Sequence, residues 1–160
     1  MSSIRTTIRD NIADLILSMT KVGGYNADWQ TVQQDDVTLG GWPRATVHLG
    51  EETCNDAEDG TYHQVYACSA DVMIDIGVKL TTKSPNPQYA IDDLLDEAID
   101  DIKRMFGRNL SIGGAGTLPL LYVSCSTPDL ATGDVFVTKT ATMTWTISYL
   151  QCRTEPSQIG

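Results

Sequence analysis

The feature that most constrains the fold is a strict alternation of apolar and polar residues over residues 66–80. Every even position is apolar, and polar residues stand among the odd positions; the apolar residues are Tyr66, Cys68, Ala70, Val72, Ile74, Ile76, Val78 and Leu80. A period of two is typical of a β-strand with one face on a core, and about 15 such residues extend roughly 50 Å. Most strands have only about five or six residues. The alternation therefore predicts a strand that overruns a small domain, with Gly77 marking a bulge or a bend.

A second long alternation, over residues 135–149, predicts the last strand. Its odd positions are mostly apolar and its even positions are mostly Thr or Ser; the apolar residues are Val135, Val137, Ala141, Met143, Trp145, Ile147 and Tyr149. Such a strand lays one face on a core and turns the other to water or to a polar partner. Shorter strand-like pieces occur at 29–39, 42–50 and 118–126.

Two amphipathic helices are predicted. The first follows Ser2 or Ser3 as its cap and ends before Gly23, with apolar residues at helical spacing: Ile4, Ile8, Ile12, Leu15, Ile16 and Met19. The second begins near Pro87 and ends at Gly107, with an apolar stripe on one side. Its other side is acidic and carries Asp92, Asp93, Asp96, Glu97, Asp100 and Asp101. This side is interpreted as a solvated face or as an electrostatic surface in an assembly.

Together these elements predict an α+β fold. We expect an antiparallel sheet with unusually long strands and two amphipathic helices packed on one of its faces. Residues 1–152 read as a single domain, and residues 153–160 read as a disordered C-terminal tail.

Composition narrows the class of protein. The chain has 160 residues and a net charge of −10, with 11 Lys and Arg against 21 Asp and Glu. This length fits one domain with a real core, and the charge argues against a broad basic surface that grips nucleic acid. The sequence contains no apolar run of about 18 residues and no pattern of a secretory signal, so we expect neither a membrane span nor secretion.

The four cysteines are predicted to be reduced. The absence of a signal pattern implies a reducing cytosol, where stable disulfides are uncommon. A zinc set of Cys54, His63 and Cys68 has irregular spacing, and the favoured interpretation of all four cysteines is that of small, half-buried residues on strands.

No catalytic motif is recognised. The glycines at 113–116 lack the lysine of a phosphate-binding loop, and no GxSxG elbow occurs. A catalytic base would have to be His48 or His63, which are better explained as sheet residues. The segment 51–60 is predicted to be an acidic loop without calcium-binding spacing, carrying Glu51, Glu52, Asp56, Glu58 and Asp59. We therefore expect no enzyme activity, no metal and no cofactor.

The order of these patterns resembles the tail terminator, or tail completion, proteins of long-tailed bacteriophages. The resemblance covers most of the chain. It rests on the helix with Ile8-Arg9-Asp10-Asn11-Ile12, on the passage from Pro43 to Glu52 with its strand and acidic loop, and on the acidic helix. The closing strand, which ends in Trp145-x-Ile147-x-Tyr149, completes it.

The resemblance implies a structural virion protein in the neck of the phage tail. Such proteins form hexameric rings that cap the tail tube, end its polymerisation and provide the surface for head docking, while DNA passes through the ring. Partners would be further copies of the chain, the tail-tube protein and a head-completion protein, with assembly in the host cytoplasm and no membrane. The acidic side of the second helix is our candidate for the lumen, and 51–60, 81–88 and 111–117 are candidate docking loops.

Three alternatives remain open from the sequence. The chain could be another virion component, namely a head-closure, connector or tail-tube protein. A small hydrolase or metal-binding protein would use the acidic loop or His63. A soluble regulatory module would bind one peptide or protein ligand as a monomer.

Overall fold

The computed structural model describes residues 3–29, 31–32, 42–56, 65–110 and 119–152, and predictions for other residues lie outside it. The elements in chain order are α1 (Ile4–Leu17), β1 (Thr31–Val32), β2 (Arg44–Asp56), β3 (Val65–Thr81), α2 (Pro87–Arg108), β4 (Leu121–Cys125), β5 (Asp129–Thr132) and β6 (Phe136–Cys152). The predicted flexible turn at 111–117 and the tail at 153–160 lie outside the described residues.

The strands form one sheet in the order β1-β2-β3-β6-β4, and β5 also pairs with β6. Every pair is antiparallel except β1 with β2, which is parallel. Strands β3 and β6 have 17 residues each and pair along their whole length. The predicted α+β class, with its unusually long strands, is therefore confirmed.

Both helices cover the same face of the sheet, as predicted. Helix α1 packs on β2, and α2 packs on β3 and β6. Ser3 caps α1 by accepting a hydrogen bond from the Thr6 amide, and the isoleucines at every fourth position from Ile4 to Ile16 are buried. We call the helix-covered face of the sheet the inner face and the opposite one the outer face.

The core lies between the helices and the inner face. It receives the even residues of β3 from Cys68 to Val78 and most odd residues of β6, with Val72, Ile74 and Ile147 fully buried. Trp145 belongs to this core, and the Phe106 and Tyr122 rings contact it edge-on at centroid distances of 4.5 and 5.2 Å. The alternation in the sequence thus sorts each strand residue to one face.

The predicted bulge at Gly77 is wrong, because β3 keeps its register through that residue. The irregularity falls instead in β2, between Leu49 and Glu52. Gly77 has a packing role: a Cβ there would lie 2.7 Å from Cζ3 of Trp42, whose ring covers the glycine. A glycine in a strand can mark a close approach as well as a bend.

The sheet edge after α2 differs from its prediction. The strand expected at 118–126 is the shorter β4, and β5 was missed because Thr127-Pro128-Asp129 reads as a stop. Strands β4 and β5 lie end to end along β6, pairing with residues near Met143 and Lys139 respectively. Proline at 128 interrupts this edge without ending it.

Candidate functional site

Helix α2 positions the candidate lumen residues. Its apolar side, which includes Ile91, Leu95 and Ile102, is buried against the sheet. Four carboxylates are exposed on the rest of the helix and form what we call the acidic stripe: Asp93, Asp96, Glu97 and Asp100. None of them forms an ion pair with a lysine or arginine in the described part of the chain.

Two of the six predicted lumen residues do not belong to this stripe. Asp101 is fully buried and accepts hydrogen bonds from the Asn26 amide at 2.9 Å and from Nε1 of Trp29 at 3.2 Å. It lies three residues after Ala98, on the buried side of the helix. Asp92 is half-buried and forms an ion pair with Lys139 of β6. Asp101 therefore cannot line a channel, whereas the Asp92 side chain is 50% exposed and is paired with Lys139.

The last turns of α2 are basic, so the acidic stripe ends before them. Arg104 donates to the Gly24 carbonyl at 2.7 Å, and the Lys103 ammonium lies 4.6 Å from the centre of the Tyr122 ring. A cation at the C-terminal end of a helix interacts favourably with the helix dipole, and Arg108 occupies the last turn of α2. The segment after α1 is thereby tied to α2, while the negative charge stays on residues 93–100.

The predicted acidic docking loop is largely strand. Because of the bulge, β2 continues to Asp56 and pairs with β3 along this stretch. Glu52 is half-buried and its Oε2 accepts a hydrogen bond from Arg5 at 2.8 Å, whereas Glu51 is exposed. The Asp56 side chain, Glu58 and Asp59 lie outside the described residues. The prediction of a loop is therefore wrong for 51–56.

His48 belongs to a hydrogen-bonded group on the outer face, not to a catalytic triad. Its Nε2 lies 3.1 Å from Oδ2 of Asp75, and the Thr142 hydroxyl donates to Oδ1 of the same carboxylate at 2.6 Å. A nucleophilic hydroxyl needs a base in contact with it. Here the carboxylate separates the hydroxyl from the imidazole, so the arrangement lacks that contact. His63 lies outside the described residues.

The edge formed by β4 and β5 exposes apolar side chains. We call Leu121, Tyr122, Val123 and Leu130 the apolar edge; each is between 44% and 65% exposed. In the described ranges, no strand pairs with the side of β4 and β5 that faces away from β6. An open strand edge with exposed apolar residues is a surface on which another chain pairs or packs.

Cys54 and Cys68 form a disulfide, so the prediction of reduced cysteines is wrong for this pair. The two residues stand directly opposite each other in the β2–β3 register. Sequence reasoning missed the pair because it ended the strand at residue 50, which left Cys54 in a loop. Cys125 is a free, half-buried cysteine, as expected.

Polar groups surround this disulfide. Oε1 of Glu52 lies 3.1 Å from Sγ of Cys54, and the ligand atoms of Glu52, Cys54 and Cys68 all lie within 4.8 Å of one another. The buried Tyr149 side chain lies nearby, and burial raises the pKa of its hydroxyl, with the Glu52 carboxylate adding to the effect. These residues are the candidates for holding a metal ion in the described part of the chain.

Comparison of the sequence with protein-family models and with curated proteins finds no match. Within the described residues, no helix is long and apolar enough to cross a membrane. The functional proposal below therefore rests on the sequence resemblance and on the geometry of the surfaces just described.

Proposed function

We propose that this protein is a tail terminator of a long-tailed bacteriophage. In this role, about six copies form a ring that caps the tail tube, ends its polymerisation and offers the surface to which the head docks. The observation that carries the proposal is the apolar edge, since a strand edge that is open among the described residues is a template for pairing with another chain. The function is structural, and no catalytic residue or cofactor takes part.

The strand order offers two sheet edges for the proposed ring contact. The apolar edge lies at one end of the strand order, and β1 and β2 lie at the other. Among the described residues, β1 pairs only with Arg44 and Ala45, so most of β2 has an open side. Pairing the edge of one copy with β2 of the next is a head-to-tail contact, which closes into a ring when the rotation permits.

The acidic stripe is our candidate lining of the lumen. Its four carboxylates are exposed, and a ring repeats them around one axis. DNA phosphates and carboxylates repel each other, so such a lining avoids tight contacts and lets the polyanion slide. Asp101 is excluded from this lining because it is buried, and Asp92 is left out because Lys139 offsets its charge.

We also propose a docking surface that includes Glu51. Glu51 is exposed toward the far end of β2, whereas Glu52 is held by Arg5. We therefore assign Glu51 to the contact with a tail or head partner, and residues 57–60 of the predicted docking loop lie outside the described residues.

Light scattering on the purified protein, with and without tail tubes of the same phage, tests the proposal. A discrete oligomer near six copies, or binding confined to tube ends, would support a terminator. Open-ended polymerisation would instead indicate a tail-tube protein. A monomer that ignores tubes would contradict every virion role.

The lumen assignment has its own test. We expect the triple substitution Asp93→Lys, Asp96→Lys and Asp100→Lys to leave the fold intact but to slow DNA passage, lowering phage infectivity at least about tenfold. The control carries the same charge change on exposed residues elsewhere, at Asp10, Asp14 and Asp134. Equal infectivity of the two triple variants would refute the lumen assignment.

A further inference from the structure

Side chains with metal-ligating atoms converge where the C-terminal ends of β2 and β6 lie beside the N-terminal end of β3. Cys54 lies opposite Cys68, Glu52 precedes Cys54 by two residues on the same face, and Gln151 of β6 lies on that face too. These positions share the inner face because side chains two residues apart along a strand point the same way. The site thus draws its groups from three different strands.

The distances place two oxygens against the two sulfurs. Glu52 Oε1 lies 3.1 Å from Sγ of Cys54, and Oε1 of Gln151 lies 3.6 Å from Sγ of Cys68. A disulfide carries no hydrogen to donate, so neither contact is a hydrogen bond in the oxidised protein. In the reduced protein, the same carboxylate and the two thiolates can bind one cation together.

The surroundings fit a bound ion. Arg5 holds the other carboxylate oxygen of Glu52 at 2.8 Å and so orients Oε1 toward the sulfurs, as supporting residues do in metal sites. The Tyr149 hydroxyl is buried and finds no hydrogen-bond partner among the described residues. A water on the ion would supply that partner. Cys54 is exposed and Cys68 is buried, so the ion can enter from solvent at Cys54 and is shielded from solvent at Cys68.

We propose that the reduced protein binds one thiophilic divalent cation, Zn²⁺ in the cell, through the thiolates of Cys54 and Cys68 and the carboxylate of Glu52. Gln151 or a water takes the fourth position of a tetrahedral site. The disulfide is the oxidised state of the same site. This inference does not depend on the proposed function.

Metal binding by the oxidised protein requires two steps, reduction of the disulfide and then coordination of the cation. A dithiol or phosphine reductant supplies two electrons, breaks the S–S bond and leaves two thiols, while the reductant is oxidised. The cation then displaces one proton from each thiol. Zinc–sulfur bonds of about 2.3 Å place two tetrahedral sulfur ligands about 3.8 Å apart, a separation that side-chain rotation provides for facing residues of adjacent strands.

Titration with Co²⁺ tests the proposal, because cobalt thiolates absorb strongly in the near ultraviolet. The full chain is reduced with a phosphine, desalted without oxygen and titrated. We expect saturation at one ion per chain and displacement of the cobalt by Zn²⁺. The Glu52→Gln variant should bind more than about tenfold more weakly, while Cys54→Ser and Cys68→Ser should lose the thiolate band.

Two controls keep the experiment decisive. The oxidised wild-type protein should bind no cobalt, and it needs no substitution that could disturb folding. The double variant Cys125→Ser and Cys152→Ser should bind like the wild type. Binding that persists in the oxidised protein, binding lost with Cys125 and Cys152, or no saturable binding after reduction would each overturn the proposal.

Discussion

The two faces of the sheet differ in burial, and one strand contributes residues to both. Along β6, Trp145 and Ile147 are buried on the inner face, whereas Thr144 and Thr146 are half-exposed on the outer face. Burial of a large apolar side chain contributes roughly 1.5–3 kcal/mol, so the inner residues hold the fold. The outer residues contribute less to stability and remain available for contacts with other chains.

Polar groups follow the same division. Asp101, on the helical side of the core, is fully buried and accepts two hydrogen bonds. Asp75, on the outer face, also accepts from a neighbour, but its side chain is 49% exposed. A buried acceptor is costly to lose because its donors cannot turn to water, whereas exposed groups exchange partners with solvent.

The largest expected effect compares neighbouring residues on β6. Trp145→Asp places a charge between the Phe106 and Tyr122 rings and should lower the free energy of unfolding by about 3–5 kcal/mol or more. Thr144→Asp, on the outer face, should cost less than about 1 kcal/mol. Urea unfolding followed by circular dichroism measures both, and a cooperatively folded Trp145→Asp of wild-type stability would show that the inner face is not the core.

A second comparison concerns the buried and the exposed carboxylate. Asp101→Ala leaves the Asn26 amide and the Trp29 indole without their acceptor and should cost about 1–3 kcal/mol. Asp75→Ala should cost about 0–1 kcal/mol. Equal losses in thermal unfolding would erase the distinction between the two faces for polar groups.

The third comparison concerns the close contact between Gly77 and the Trp42 ring on the outer face. Gly77→Ala forces the Trp42 ring aside and should cost about 1–2 kcal/mol. Combined with Trp42→Ala, the same substitution should cost less than it does alone, since the obstructing ring is gone. A double-mutant cycle measures this coupling, and strict additivity of the two changes would contradict the contact.

The smallest effect is a pH dependence on the inner face. The native pKa of Tyr149 is raised above its ordinary value near 10, first by burial and then by Glu52. The neutral hydroxyl is therefore favoured in the native state, and its contribution is complete below pH 10. This contribution is lost as the pH rises further, because the unfolded chain releases a proton that the native chain retains.

Tyr149→Phe should therefore flatten the alkaline fall in stability. The difference in slope should stay below about 1.4 kcal/mol per pH unit, the limit for one proton. At neutral pH the variant should be nearly as stable as the wild type, because the hydroxyl lacks a partner among the described residues. Parallel slopes for the two proteins above pH 10 would contradict a buried, neutral Tyr149.

Periodicity predicts the regular parts of this fold well. The even residues of β3 from Cys68 to Val78 and most odd residues of β6 reach the core because the period of two leaves only one assignment of faces. The isoleucines of α1 behave in the same way at helical spacing. Long amphipathic elements carry enough repeats that local exceptions such as Lys139 do not obscure them.

The wrong predictions concern places where a single residue, and not a repeated pattern, decides the local structure. Asp101 fits a solvated helix face by type, and only its tertiary partners, Asn26 and Trp29, explain its burial. The bulge after Leu49 carries β2 past the point where the alternation stops, which brings Cys54 opposite Cys68. Tertiary contacts between distant segments determine both features, and no local pattern encodes them.

The apolar edge was also beyond the sequence pattern. Leu121, Tyr122 and Val123 read as an ordinary strand interior, and only the sheet order shows that β4 lies at an edge. A run of apolar residues therefore indicates a strand without saying whether this chain or another one covers it.

The most direct test of the proposed role is to follow tail-tube growth by electron microscopy. Purified tube protein is polymerised with increasing amounts of the wild-type chain, and in parallel with a variant carrying Leu121→Lys and Val123→Lys on the apolar edge. The proposal predicts that the wild type caps tube ends with a ring and stops elongation, and that the edge variant does neither. Tubes that lengthen equally with and without the wild-type chain would contradict a terminator.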